Sequence, residues 1–109
     1  MWALPGGQCA IFDAQPAVLW RMDEEGTIVQ RTELGEILWY AEPSQDGTTL
    51  IGVNTKTNLV QLVDVIHGTI VTTFRPSAKV CALAVKREVV AMGLADGRVL
   101  TFRLHNFRS

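Results

Sequence analysis

Apolar residues in this chain come in short runs, and turn-forming residues interrupt the runs every seven to ten positions. Val, Ile, Thr, Phe, Trp and Leu dominate runs of four to seven residues, which is the length and composition of β-strands. The segment that best fits a helix, residues 8–22, contains Pro16, which disfavours a helix. The sequence therefore predicts an all-β fold. The candidate strands span residues 8–12, 17–22, 27–32, 37–41, 49–53, 59–65, 69–74, 79–85, 88–94 and 98–104.

Several segments of the chain match one another in a consistent order. Residues 35–44 align without gaps on residues 68–77, and the first Gly, an Ile and the final Pro-Ser coincide. Two further matches join residues 9–11 to 81–83 and residues 25–29 to 96–100. The unit that these matches define has four strands, counted here from first to fourth, and about 40 residues, which are the strand number and period of a β-propeller blade.

The last of these units resembles the WD-repeat family. Its segments 80–85, 89–97 and 98–104 give a first strand, then a second strand followed by an Asp-Gly turn, then a third strand with an aromatic residue near its end. Two departures mark the resemblance as divergent, since no Trp-Asp pair closes a third strand and no Gly-His pair precedes a first strand. The resemblance implies tandem antiparallel β-meander blades, and here a WD-repeat-like β-propeller.

The number of units predicts an incomplete propeller fragment of about two and a half blades. Residues 9–41 form one blade-like unit, residues 42–74 a unit that lacks its inner strand, and residues 78–104 a unit that lacks its outer strand. Closing a propeller takes at least four blades. We therefore expect the chain to be part of a larger WD-repeat protein, or truncated from one.

Composition and charge argue against several classes of function. A net charge of −1 with a pI near 6.1 does not suit a nucleic-acid-binding chain, and apolar runs of about seven residues are far below the roughly 20 that cross a bilayer. No phosphate-binding or dinucleotide-binding glycine pattern and no close pair of metal-binding residues occurs, so we expect no cofactor and no metal. Two cysteines far apart suit a reducing compartment, and we expect a cytoplasmic protein.

Catalytic candidates are few. Cys9 and Cys81 stand at matched positions of the repeat, where small apolar residues pack, which predicts buried and inert thiols. His67 and His105 fall at turns, and the acidic run 23–25 is typical of a solvated loop. The sequence therefore predicts that the protein is not an enzyme.

Charge is divided unevenly along the chain. Residues 1–54 carry eight acidic and two basic side chains, whereas residues 55–109 carry three acidic and eight basic ones. Such an asymmetry steers an acidic partner or favours head-to-tail self-association. Alternatively, the basic side chains protect exposed strand edges, through which we also expect self-association.

The leading interpretation is a protein-interaction or scaffold module. The resemblance implies that partners meet the loops of one face, here residues 23–26, 42–47, 54–58, 75–78 and 95–97. The candidate partner-binding residues are Asn54, Lys56, Arg75, Lys79, Asp96 and Arg98. Two alternatives stay open: an independent β-barrel or sandwich domain that binds a ligand or catalyses, and a truncated product without a function of its own.

Overall fold

A computed structural model describes residues 1–14, 16–35 and 40–107 of the chain. It contains three antiparallel sheets, which confirms the all-β prediction. The eleven strands of the described residues are β1 (Trp2–Ala3), β2 (Cys9–Ala14), β3 (Ala17–Met22), β4 (Ile28–Glu33), β5 (Tyr40–Pro43), β6 (Thr49–Asn54), β7 (Leu59–Asp64), β8 (Thr69–Phe74), β9 (Val80–Lys86), β10 (Val89–Leu94) and β11 (Val99–Arg103). Two short 3-10 helices, Pro5–Gly7 and Leu104–Phe107, complete the described elements, and neither could span a membrane.

Each sheet is a meander in which strands adjacent in sequence pair with each other. The first sheet has the order β1-β2-β3-β4, the middle sheet β5-β6-β7-β8 and the last sheet β9-β10-β11. The second strands of the three sheets begin at residues 9, 49 and 89, so the structural repeat is 40 residues long. This spacing is a feature of the structure itself and does not depend on any matching of residue types.

The first sheet begins one strand earlier than the sequence predicts. The strand predicted at residues 8–12 as an innermost strand is β2, and β1 precedes it with only two residues, too few to give a sequence signal. The strand predicted at 37–41 as the outermost of the first unit lies partly outside the described residues, and from Tyr40 onward it pairs with β6 instead.

The middle sheet consequently has four strands, and the expectation that its inner strand is missing is wrong. β5 fills that place, although it has only four residues and ends in Pro43. Proline lacks the N–H that a central strand must donate, but β5 is an edge strand with a single neighbour, where proline is tolerated. The one-strand shift in the first unit is what made the second appear incomplete.

The internal sequence matches are therefore only partly structural. Gly35 and Gly68 both adopt positive φ, 77° and 67°, yet Gly68 leads into a fourth strand, whereas Gly35 follows one. Gly26 is the structural counterpart of Gly68, because both lie between a third and a fourth strand. Gly97 lies between a second and a third strand, so its sequence match to Gly26 does not reflect an equivalent position.

The hydrophobic core lies in two layers on either side of the middle sheet. Leu50 and Val63 of this sheet pack with Ala10 and Leu19 of the first sheet. On the opposite face, Ile51 and its neighbours pack against the last sheet; this layer comprises Ile51, Val53, Val60, Leu62, Val80, Val90, Met92, Leu94 and Leu104. All six residues of β6 are buried, because alternate side chains face different neighbouring sheets. The sheets stack face to face, as propeller blades do.

Candidate interaction surface

Three loops meet at one end of the strands of the middle and last sheets. They are the β6–β7 turn (residues 54–58), the β8–β9 connection (residues 75–79) and the β10–β11 turn (residues 95–98). In an antiparallel meander, alternate turns lie at the same end of the sheet. The second and fourth strands run in the same direction, so the link that leaves a fourth strand for the next sheet lies at the end where the second strand finishes. We call these three segments the loop edge.

Asn58 ties the middle sheet to the last sheet at this edge. Its backbone is left-handed, with φ of 61°, a conformation that asparagine tolerates better than most residues. The side-chain Nδ2 donates to the carbonyls of Ala78 at 2.9 Å and Pro76 at 3.3 Å, and Oδ1 accepts from the Val80 amide at 2.8 Å. One carboxamide thus satisfies three backbone groups of the connection that leads into β9.

Two arginine contacts and one backbone bond complete the cross-links. Arg75 Nε donates to the Thr57 carbonyl at 2.9 Å. Arg98 Nη2 donates to Ser77 Oγ at 2.7 Å, and the Ala95 amide donates to the Lys79 carbonyl at 2.8 Å. The three loops are therefore fixed to one another as well as to their own strands.

The structure brings all six predicted partner-binding residues into this edge, in different roles. Asn54 is buried, and its Oδ1 accepts from the amides of Lys56 at 2.9 Å and Thr57 at 3.3 Å, so it shapes the turn. Five are exposed to solvent: Lys56, Arg75, Lys79, Asp96 and Arg98. Whether these five contact a partner stays a prediction.

The loop edge is electropositive. It carries four basic side chains and one acidic side chain, Asp96. The Asp96 carboxylate accepts from the Arg98 amide at 3.1 Å and from Arg98 Nε at 2.6 Å, and these bonds, the backbone one foremost, lower the pKa of the Asp96 carboxyl. Arg98 is thereby neutralised in part, whereas the Lys56 and Lys79 ammonium groups have no acidic neighbour within the edge.

Two loops that the sequence assigned to the same face lie at the opposite end of the strands. Residues 23–26 join a third strand to a fourth, and residues 44–47 join a first strand to a second. Asp23 and Asp46 use their carboxylates to fix these turns: Asp23 Oδ1 accepts from the amides of Glu25 and Thr27, and Asp46 Oδ1 from that of Thr48. The expectation that residues 23–26 and 42–47 share one face with the other three loops is wrong, because the first unit was placed one strand out of phase.

The cysteines do not form a matched buried pair. Cys9 is half-buried in β2, the second strand of its sheet, whereas Cys81 is exposed in β9, the first strand of its sheet. In the described residues no group of three or more His, Cys, Asp or Glu side chains is placed to hold a metal ion.

The alternative of a closed barrel is not supported, since the described strands β1 and β11 belong to different sheets.

Asn58, Thr57 and Ser77 are parts of the edge that the sequence did not single out. The signal at Asn58 is its place at the end of a polar turn, where asparagine often takes positive φ. Its bonds to residues 76–80 join positions about twenty residues apart, and no local pattern predicts them.

No protein-family model and no curated protein matches this sequence. The structure is similar to a chain in the "Crystal Structure of Mitotic Checkpoint Complex", with a TM-score of 0.64 and 20% sequence identity. The match covers 90% of this chain and 30% of that one. At this identity the similarity shows the fold alone: three stacked antiparallel sheets of β-propeller type.

Proposed function

We propose that the protein is a protein-interaction module that binds an acidic segment of a partner at the loop edge. The observation that carries the proposal is the set of cross-links among the three loops, by Asn58, Arg75 and Arg98. A surface whose backbone is already ordered loses less conformational entropy on binding. The matched structure is a protein complex, which supports a role in protein assembly.

The partner's acidity follows from the charge of the edge. Lys56 and Lys79 are exposed on two different loops, and Arg75 lies on the second of them with its Nε bonded to Thr57. Fixed cationic groups on neighbouring loops attract carboxylates, which raises the association rate and favours acidic over basic partners. A cytoplasmic scaffold role without catalysis is the setting that we infer for this surface.

A selection experiment tests the proposal. A displayed library of random peptides is selected on the immobilised full chain, and recovered peptides are measured against the chain by titration calorimetry. We expect acidic peptides, with affinity that falls as salt rises. The variant Lys56→Ala/Lys79→Ala is expected to bind them at least about tenfold more weakly, because two of the attracting charges are gone.

The matched control is Lys86→Ala/Arg103→Ala, which removes the same charge at the opposite end of the strands. It should retain the affinity of the unmodified chain to within about twofold, since neither residue lies in the loop edge. Equal weakening in both variants, or peptides without acidic residues, would show that the loop edge is not the binding surface.

A further inference from the structure

The two terminal sheets each have one face on which no other described sheet packs. In the first sheet, strand alternation places Ala10 and Leu19 toward the middle sheet and their sequence neighbours on the other side. We call that other side the first-sheet outer face. Its apolar residues, paired across the strands, are Cys9, Ile11, Val18, Trp20, Met22 and Ile28.

Trp20 makes the first-sheet outer face bulky at its centre. It is flanked by Ile11 of β2 and by Arg31 of β4 in directly opposed positions. Trp20 and Ile11 are half-buried, whereas Val18 on the same face is 2% exposed. In a stacked-sheet architecture such a face is the side that a neighbouring sheet covers.

The corresponding face of the last sheet is lined by small side chains. Opposed pairs across β9, β10 and β11 place these residues away from the core: Ala82, Ala84, Ala91, Gly93, Val99 and Thr101. Val99 is 68% exposed. A flat face of small residues accommodates large ones, so the first-sheet and last-sheet outer faces are complementary in shape.

The two faces are also complementary in charge at the same end of the strands. The β3–β4 turn of the first sheet carries Asp23, Glu24 and Glu25. The rim of the last-sheet outer face, around Val89, forms a shallow depression lined by three basic residues, Lys86, Arg87 and Arg103, and one acidic residue, Glu88. The first-sheet rim lies at the turn between a third and a fourth strand, and the last-sheet rim lies at the turn between a first and a second strand. In a meander sheet these two turns are at the same end of the strands.

We propose that a second copy of this chain covers both faces and closes a ring of six sheets. The first-sheet outer face of each copy packs on the last-sheet outer face of the other, which gives two identical contacts related by a twofold axis. Six sheets lie within the four to eight blades that closed propellers have. The last-sheet outer face adjoins the loop edge at Val99, but the contact between two copies does not depend on the function proposed for that edge.

Sedimentation equilibrium of the full chain tests the proposal directly. We expect a species of twice the 12.0 kDa of one chain, which dissociates to one chain as salt is raised. Ala84→Glu places a larger, charged side chain on the last-sheet outer face and should yield the single-chain mass. Thr73→Glu, an equally exposed strand position outside both faces, is the matched control and should keep the double mass.

A charge-exchange experiment distinguishes a closed pair from other assemblies. Glu24→Lys/Glu25→Lys reverses one rim, and Lys86→Glu/Arg103→Glu reverses the other. Each variant alone should be a single chain, because both of its contacts would join like charges. An equimolar mixture should recover the double mass, since both contacts then join opposite charges. Circular dichroism of each variant confirms that the strands are retained.

Three results would overturn the proposal. A single-chain mass for the unmodified protein would mean that another partner, or a further segment of a longer chain, covers these faces. Masses that keep growing with concentration would show an open head-to-tail chain instead of a closed pair. A mixture that fails to reassociate, with both variants folded, would show that the two rims do not meet.

Discussion

At the scale of single residues, Asn58 has two structural tasks in the loop edge. Its left-handed backbone closes the β6–β7 turn, and its carboxamide holds the connection into the next sheet. These two tasks are separable, because glycine adopts the same backbone conformation without a side chain.

We expect Asn58→Gly to lower the free energy of unfolding by about 1–3 kcal/mol, because it leaves backbone groups of residues 76–80 without their partner. Chemical denaturation of the full chain measures the loss. Thr57→Gly, one position earlier, is the matched control: the structure uses only the Thr57 backbone groups in the edge contacts, so its loss should be smaller. An equal loss in the two variants would mean that backbone flexibility, and not the carboxamide, sets the effect.

The sequence predicted the charged members of the loop edge but not the residue that organises it. Lys56, Arg75, Lys79, Asp96 and Arg98 are visible as polar residues between apolar runs, and strand counting brings their loops to one end. The role of Asn58 depends on bonds to a distant segment, and these exist only once the middle and last sheets are stacked. Asn54 was predicted to bind a partner, but it is buried and its side chain instead accepts hydrogen bonds from amides of its own turn.

At the scale of elements, the turn between β7 and β8 is held by a charged carboxylate. Asp64 Oδ1 accepts from the amides of Ile66 at 3.0 Å and His67 at 3.1 Å, and Oδ2 lies 2.7 Å from His67 Nδ1. Burial raises the pKa of the Asp64 carboxyl, but the bonds from His67 and Ile66 together outweigh it, so the pKa lies below the ordinary 3.8.

A lowered carboxyl pKa stabilises the folded state above pH 3.8, and that stabilisation is lost as pH falls through the folded-state value. We therefore expect Asp64→Asn to be less stable than the unmodified chain at neutral pH, with the difference shrinking below about pH 4. Urea unfolding across this pH range measures the difference. His67→Ala, which removes one of the bonds to the carboxylate, should give a smaller difference of the same sign, and a difference independent of pH would exclude this role for Asp64.

Strands of the first and middle sheets differ sharply in their exposure to solvent. β6 is buried along its whole length, whereas β4 and β8 are outer strands with exposed Val29, Ile70 and Val71. We expect backbone amides of β6 to exchange with solvent at least about a hundredfold more slowly than those of β4 and β8, which corresponds to about 2.7 kcal/mol of local stability. Hydrogen exchange followed by NMR measures both sets in one sample, and uniform protection would contradict the layered core.

Element type was easier to predict from the sequence than element order. Nine of the eleven described strands follow from apolar runs and turn residues, but β1 has two residues and β5 is short and ends in proline. Neither carries a pattern of its own, and each becomes a strand because β2 or β6 offers it an unpaired edge. Missing β1 moved every strand of the first unit by one place.

At the scale of the whole molecule, the three sheets depend on one another for burial. The middle sheet contributes to both core layers, and each terminal sheet to one. Stability in such stacked arrays is the sum of the intrinsic stability of each sheet and of the contacts with its neighbours. The terminal sheets are therefore the parts for which a further contact, such as the one proposed between two copies, has the largest effect.

The constant spacing of the second strands has a consequence for how such a chain changes length. Residues 49 and 89 occupy the same place in consecutive sheets, so the segment between them holds three strands of one sheet and the first strand of the next. A tandem duplication of that segment would insert one complete additional blade and leave every existing strand pairing intact. Growth by duplication at these positions adds only strands and turns of the kinds that the chain already contains, and it does not change the direction of the chain.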